Sequence, residues 1–289
     1  MKAKIDYRTV AGVPKHCNLY GEGVKIAILD TGIPCWHPPG SFSDRFMDKI
    51  GHATEISSIL FGAGEISGIC CKATPFYAKV IDDDGFGSVK ALVRGIYDAL
   101  ERNCDVINLS LGLSRAKKCP KSLKNACEEA YFAGKTVVCA AGNDGSGVNW
   151  PAALESTICV GSIGKDGLKT GFSSFGGEVD FVAPGVDLPV INNKGELCLA
   201  SGTSYSAALV SGMATLFVQK ARGSGCAALD AGAIKRDLIN NSIDIGEPGW
   251  DELTGYGSIA SRHGDTTVNL MQEQGLFGKI LSSIRNLFR

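Results

Sequence analysis

The sequence predicts an α/β fold of three layers, a mostly parallel central sheet with helices on both faces. Two observations carry this. Short runs that are apolar at nearly every position alternate with longer segments of helical period, the pattern of strands buried on both sides and joined by helical crossovers. Glycine, at 37 of 289 residues, is far above its ordinary share with no repeat or proline-rich tract, as many tight strand–helix turns require.

The elements follow in order. Val24–Asp30 is an apolar strand ending in an acid and a Thr31-Gly32 turn, and His52–Phe61 is an apolar helix opened by a histidine. Strand Pro75–Ile81 precedes helix Ser88–Asn103, and strand Asp105–Ser110 precedes helix Lys121–Gly134. Strands Lys135–Ala140, Thr157–Ser162 and Val179–Val182 come next, then the long helix Thr203–Ala221 and the shorter Gly232–Asn240. Gly249–Ile259, with three glycines, reads as a closing loop.

Composition narrows the classes. A net charge of −1 gives no overall pull towards nucleic acid or an anionic membrane. The 11 cysteines are odd in number and irregularly spaced, and several sit in apolar runs, where a reduced thiol behaves as a small core residue. With no apolar leader in the first residues, this predicts a reducing, cytoplasmic setting. Neither His16-Cys17 nor Cys35-Trp36-His37 has the spacing of a zinc site, so no metal ligand is expected.

Four segments carry chemistry. Ser201-Gly202-Thr203-Ser204 opens a small-residue helix, which would present the Ser204 hydroxyl among free N–H groups at the positive end of the helix dipole. Asp30 ends a strand, His52 starts a helix, and Ala141-Gly142-Asn143-Asp144-Gly145 closes another strand. Taken singly, each has a plain structural reading: a turn, a helix cap, an Asn-Asp-Gly turn. The order acid, base, nucleophile gives the set its meaning.

These blocks resemble the subtilisin-like serine proteases (subtilases), over residues 14–262, in a layout like that of the intracellular subtilisins. The resemblance implies a serine endopeptidase acting on polypeptides through an acyl-enzyme. It assigns Asp30, His52 and Ser204 to the triad and Asn143 to the oxyanion hole. It places substrate main chain along Gly85, Phe86, Gly87 and along Ser110, Leu111, Gly112. Asn149 falls near the floor of the specificity pocket and Asp144 at its rim. Structural calcium is frequent in the family, although no loop here spells a site; Asp82-Asp83-Asp84-Gly85 reads as a turn. No other cofactor is implied.

The chain also departs from the family pattern. Ala53 stands where the histidine block carries glycine, and Glu55 puts a carboxylate on the same helix, which either raises the His52 pKa or faces water. Ala208 replaces a usual proline, and the interval from Asp30 to His52 is short. An alternative reading is therefore a peptide-binding pseudo-protease. Residues 1–13 are expected to form a short extension, a latch across the cleft. Residues 263–289 read as a hinge and an amphipathic basic helix. There Leu276, Phe277, Ile280, Leu281, Ile284, Leu287 and Phe288 share a face, with Lys279, Arg285 and Arg289 as its charge. Such a helix docks on its own domain or a partner, or lies on an anionic membrane.

Overall fold

The computed structural model describes residues 5–36, 43–115, 118–225 and 230–259. The chain opens with β1 (Ile5–Asp6), α1 (Tyr7–Val10) and β2 (Lys25–Asp30), then α2 (His52–Phe61), β3 (Gly62–Ala63) and β4 (Ile66–Ser67). Next come β5 (Thr74–Lys79), α3 (Val89–Glu101), β6 (Val106–Leu109), α4 (Lys121–Phe132), β7 (Thr136–Ala140) and β8 (Ile158–Ile163). The last third holds β9 (Phe181–Pro184), β10 (Leu188–Ile191), β11 (Leu197–Ala200), α5 (Thr203–Gly223), α6 (Ala231–Asn241), β12 (Ser242–Ile243) and β13 (Ser258–Ile259).

The main sheet has eight strands in the order β12-β13-β9-β8-β7-β6-β2-β5, parallel throughout except for the β12–β13 pair. Alternation along the strands divides the core in two. Ile26 and Ile28 join the cluster that holds Ile56 and Ile59 of α2 and Val210 of α5, whereas Ala27 and Leu29 join Ile96 of α3 and Leu123 of α4. Successive side chains of a strand point to opposite faces, so both sides of β2 are covered, as its nearly unbroken apolar run requires. Helix α5 is buried from Thr203 to Val218 and runs against β6, β7, β8 and β9. A helix of small and apolar residues on every side belongs in such an interior.

Strand β2 lies between β5 and β6, so the chain leaves it first to one side and then to the other. Open parallel sheets form their crevice at such a switch point, beyond the carboxyl ends of the strands. Asp30, Ser110 and Asn143 all lie at or just past those ends.

The segment expected as a latch is corrected from Ile5 onward. β1 pairs with β4, beyond the C-terminal end of α2, about 15 Å along that helix from His52. Tyr7 is fully buried, and its hydroxyl donates to the Pro189 carbonyl at 2.6 Å. The Arg8 guanidinium donates to the Cys17 carbonyl at 2.7 Å and lies over the Tyr20 ring. Ile5, Tyr7, Val10, Ala11 and Val13 are apolar enough to be drawn into the core, which starts well before residue 14. The hinge and amphipathic helix of residues 263–289 lie outside the described residues.

Candidate active site

His52 is the first residue of α2, on an N-cap glycine, Gly51, that has φ +108° and no side chain to offer the helix. Asp48 does the capping instead. Its Oδ2 accepts from Thr54 N at 2.8 Å and Thr54 Oγ1 at 2.7 Å, and its Oδ1 accepts from Gly51 N at 2.7 Å and Thr31 Oγ1 at 2.8 Å. Thr31 Oγ1 in turn accepts from Ala53 N at 2.9 Å. The turn after Asp30 is thereby tied to the first turn of the His52 helix, whose N–H groups lack intrahelical partners. Sequence reasoning missed Asp48. Its only signal is an acid three residues before the cap, rather than at it.

His52 Nδ1 lies 2.8 Å from Asp30 Oδ1 and 2.9 Å from Oδ2. A carboxylate there fixes the tautomer with its proton on Nδ1 and leaves Nε2 as the free ring nitrogen. The Asp30 side chain is 1% exposed and that of His52 25%, so the pair opens on solvent only at the imidazole. Burial works against a charged imidazole, but the charge and hydrogen bond of Asp30 outweigh it, with Glu55 and Asp48 adding to them. The His52 pKa therefore lies above that of an ordinary histidine.

Ser204 is the second residue of α5, after Gly202 and Thr203, and is nearly buried. Its hydroxyl donates to the Ser110 carbonyl at 3.0 Å, and the Ser110 hydroxyl donates to the Ser204 carbonyl at 2.8 Å. Behind them Asn108 Nδ2 donates to Ser110 Oγ and Ser211 Oγ to Asn108 Oδ1, a buried chain that ties β6 to α5. No hydrogen bond joins Ser204 Oγ to His52; rotation about χ1 separates the Ser110 position from others open to the hydroxyl.

Asn143 Oδ1 accepts from both Thr203 N at 2.9 Å and Thr203 Oγ1 at 3.0 Å. Two donors on that oxygen settle the amide orientation and turn Nδ2 away from α5's first residue. Gly142 (φ +117°) must be glycine, since a Cβ there would come within 2.5 Å of Asn149 Nδ2 and 2.8 Å of Ser174 Oγ.

Of the expected substrate-binding residues, the structure brings Gly112 and Asn149 together, with Asn149 also against Gly142, while Ser110 is bonded to Ser204. Leu113 and Trp150 exchange backbone hydrogen bonds, and a Cβ on Gly112 would lie 3.1 Å from that of Asn149. Asn149 Nδ2 donates to Asp144 Oδ2 at 3.2 Å, while its Oδ1 accepts from Arg115 N. Gly85, Phe86 and Gly87 lie in the turn past the carboxyl end of β5; Phe86 is 74% exposed and no hydrogen bond links them to the other site residues.

The acidic turn does not fit calcium. Asp82 Oδ1 already accepts from Asp84 N and Phe86 N, and Asp83 pairs with Lys79 at 2.8 Å and Lys49 at 3.1 Å. Among the described residues no group of three or more His, Cys, Asp or Glu side chains is placed to hold a metal. The ten described cysteines are all unpaired, and no described helix is long and apolar enough to cross a membrane.

An acid, a histidine and a serine gathered at the switch point of a doubly wound sheet make a candidate hydrolase site, and the comparisons give the family. The profile described as the subtilase family matches residues 21–257, and the chain belongs to that family. It is 31% identical over 250 residues to an intracellular serine protease of Paenibacillus polymyxa, covering 78% of this chain and 76% of that one. It is also 31% identical over 255 residues to the minor extracellular protease Epr of Bacillus subtilis (strain 168), covering 83% of this chain. The matched part spans 38% of Epr and 56% of subtilisin E of the same strain. Among solved structures, a lanthipeptide protease superimposes with a TM-score of 0.72 at 24% identity, over 92% of this chain and 90% of that one. The self-cleaved protease domain of PatA gives 0.72 at 25%, over 88% and 99%.

Proposed function

We propose that the chain is a serine endopeptidase that cleaves polypeptides through an acyl-enzyme on Ser204. The observation that supports this best is the Asp30–His52 pair, with Nδ1 held at 2.8 and 2.9 Å by the carboxylate and Nε2 left free. In this reading the Ser204 hydroxyl leaves the Ser110 carbonyl when substrate enters, and its oxygen attacks the scissile carbonyl carbon. His52 Nε2 takes the hydroxyl proton. Catalytic hydrogen bonds absent from a free enzyme commonly form only with substrate bound. The tetrahedral oxyanion accepts from Asn143 Nδ2 and from the Ser204 N–H, an orphan donor of the first helical turn. His52 then passes its proton to the departing amine, and water, deprotonated by the same imidazole, releases the acyl group.

Extended substrate pairs through its main chain with Ser110–Gly112 and with Gly85–Gly87, which leaves its side chains to the pockets. Asn149 closes the primary pocket from below. Asn149→Gly raises kcat/KM for a phenylalanine at the cleavage site by roughly 10- to 100-fold relative to alanine, because the amide no longer blocks or goes unpaired against the ring. We place the enzyme in the cytoplasm, where unpaired cysteines persist. Residues 276–289 make its peripheral contact with a partner or membrane, and nucleic acid is no ligand.

Turnover of a panel of peptide p-nitroanilides tests the reading. Hydrolysis is expected in the parent, and Asn143→Ala lowers kcat about 10²- to 10³-fold at little-changed KM, since the oxyanion exists only after attack. A folded parent that binds the peptides and never cleaves them would instead support the pseudo-protease.

A further inference from the structure

The residue following Ser204 carries a feature the proposed chemistry does not use. Tyr205, 7% exposed on α5, donates its hydroxyl to Glu55 Oε2 of α2 at 2.6 Å. Its ring lies 5.8 Å from the His52 ring, centroid to centroid, tilted by 57°. Glu55 stands three residues after His52, one turn along the same helix face, where side chains are neighbours. One bond therefore joins the helix that begins at His52 to the helix that begins at Ser204, and it does so beside the imidazole.

We propose that Glu55 and Tyr205 are positioning residues, a clasp that holds the two helices in register and whose carboxylate sets the pH at which His52 can act as base. This rests on the protease reading above. Among the described residues, the charged and titratable groups facing His52 are Asp30 from β2, Asp48 from the loop before α2, Glu55 from its own helix and Tyr205 from α5. Cys198 of β11 stands behind Glu55 and Tyr205. Burial pushes the Glu55 carboxyl upward, opposed by the Tyr205 hydrogen bond and by His52. Burial and the neighbouring carboxylate push the Tyr205 phenol up, so it stays a donor.

His52 works as a base only when neutral, so the rate falls as pH drops through its raised pKa. Glu55→Gln removes a negative charge but keeps an oxygen for Tyr205. It moves the acid limb of kcat/KM, and the midpoint of the His52 Cε1–H NMR titration, to lower pH by roughly half a unit or more. Tyr205→Phe removes the bond between the two helices beside the imidazole and lowers kcat several-fold at the alkaline plateau with KM little changed. Glu55→Ala does the same, and Glu55→Gln recovers that loss. A merely structural bond would change the thermal midpoint and leave the acid limb and the His52 titration where they were, which overturns the proposal. So does a Tyr205→Phe variant with the parent's kcat. The titration needs no turnover: a shifted His52 midpoint in a chain that cleaves nothing sinks the protease reading and supports the Glu55 coupling.

Discussion

His52→Ala lowers kcat on peptide p-nitroanilides about 10⁶-fold, with KM changed little. Without the imidazole nothing takes the Ser204 proton, and the Ser110 carbonyl that accepts it at rest is no base. The surviving rate, about 10³- to 10⁴-fold above the uncatalysed one, comes from binding and the oxyanion donors. Asp30→Asn is expected to cost about 10⁴-fold, because an amide facing Nδ1 favours the tautomer with its proton on the wrong nitrogen. Comparing the two variants under single-turnover conditions separates loss of the base from loss of its orientation. A His52→Ala enzyme retaining a tenth of the parent rate would mean another group takes the proton.

Asp48→Ala is the largest expected effect outside the reacting groups. Both carboxylate oxygens are buried and each accepts two hydrogen bonds, at 2.7 to 2.8 Å. Truncation strands the Gly51 and Thr54 N–H groups and two hydroxyls in a dry place, at a cost of about 3–4 kcal/mol in unfolding free energy. The same cut loosens the His52 helix from the Asp30 turn, so kcat falls in molecules still folded. Asp48→Asn keeps one acceptor oxygen and loses less than half as much. Urea denaturation checks the stability, and activity measured well below the unfolding midpoint checks the geometry.

Most of the scaffold was legible because its signals are long and redundant. The run from Val24 to Asp30 is apolar enough to demand two covered faces, and His52–Phe61 was bounded at the residues where the helix starts and stops. The hairpin β10–β11 was not foreseen, nor were β1, β3, β4, β12 and β13; each is two to four residues long, too short for a period to register. The N-terminal error has a similar origin. Ile5, Tyr7, Val10, Ala11 and Val13 show a helical or extended spacing only when the groove that receives them is known. At the candidate site, motif order singles out Asp30, His52, Asn143 and Ser204, of which the structure joins His52 to Asp30 by hydrogen bonds. The supporting groups Asp48, Thr31 and Asn108 act through capping and buried relays between distant segments, which leave no local pattern. Glu55 and Tyr205 stood in the sequence 150 residues apart, and only packing joins them.

The most direct test of an activated serine is labelling with a fluorophosphonate, read by intact mass and peptide mapping on the full chain. One adduct per molecule is expected, on Ser204, absent from Ser204→Ala and strongly slowed in His52→Ala. No adduct on the folded parent, or an adduct that survives Ser204→Ala, would contradict it.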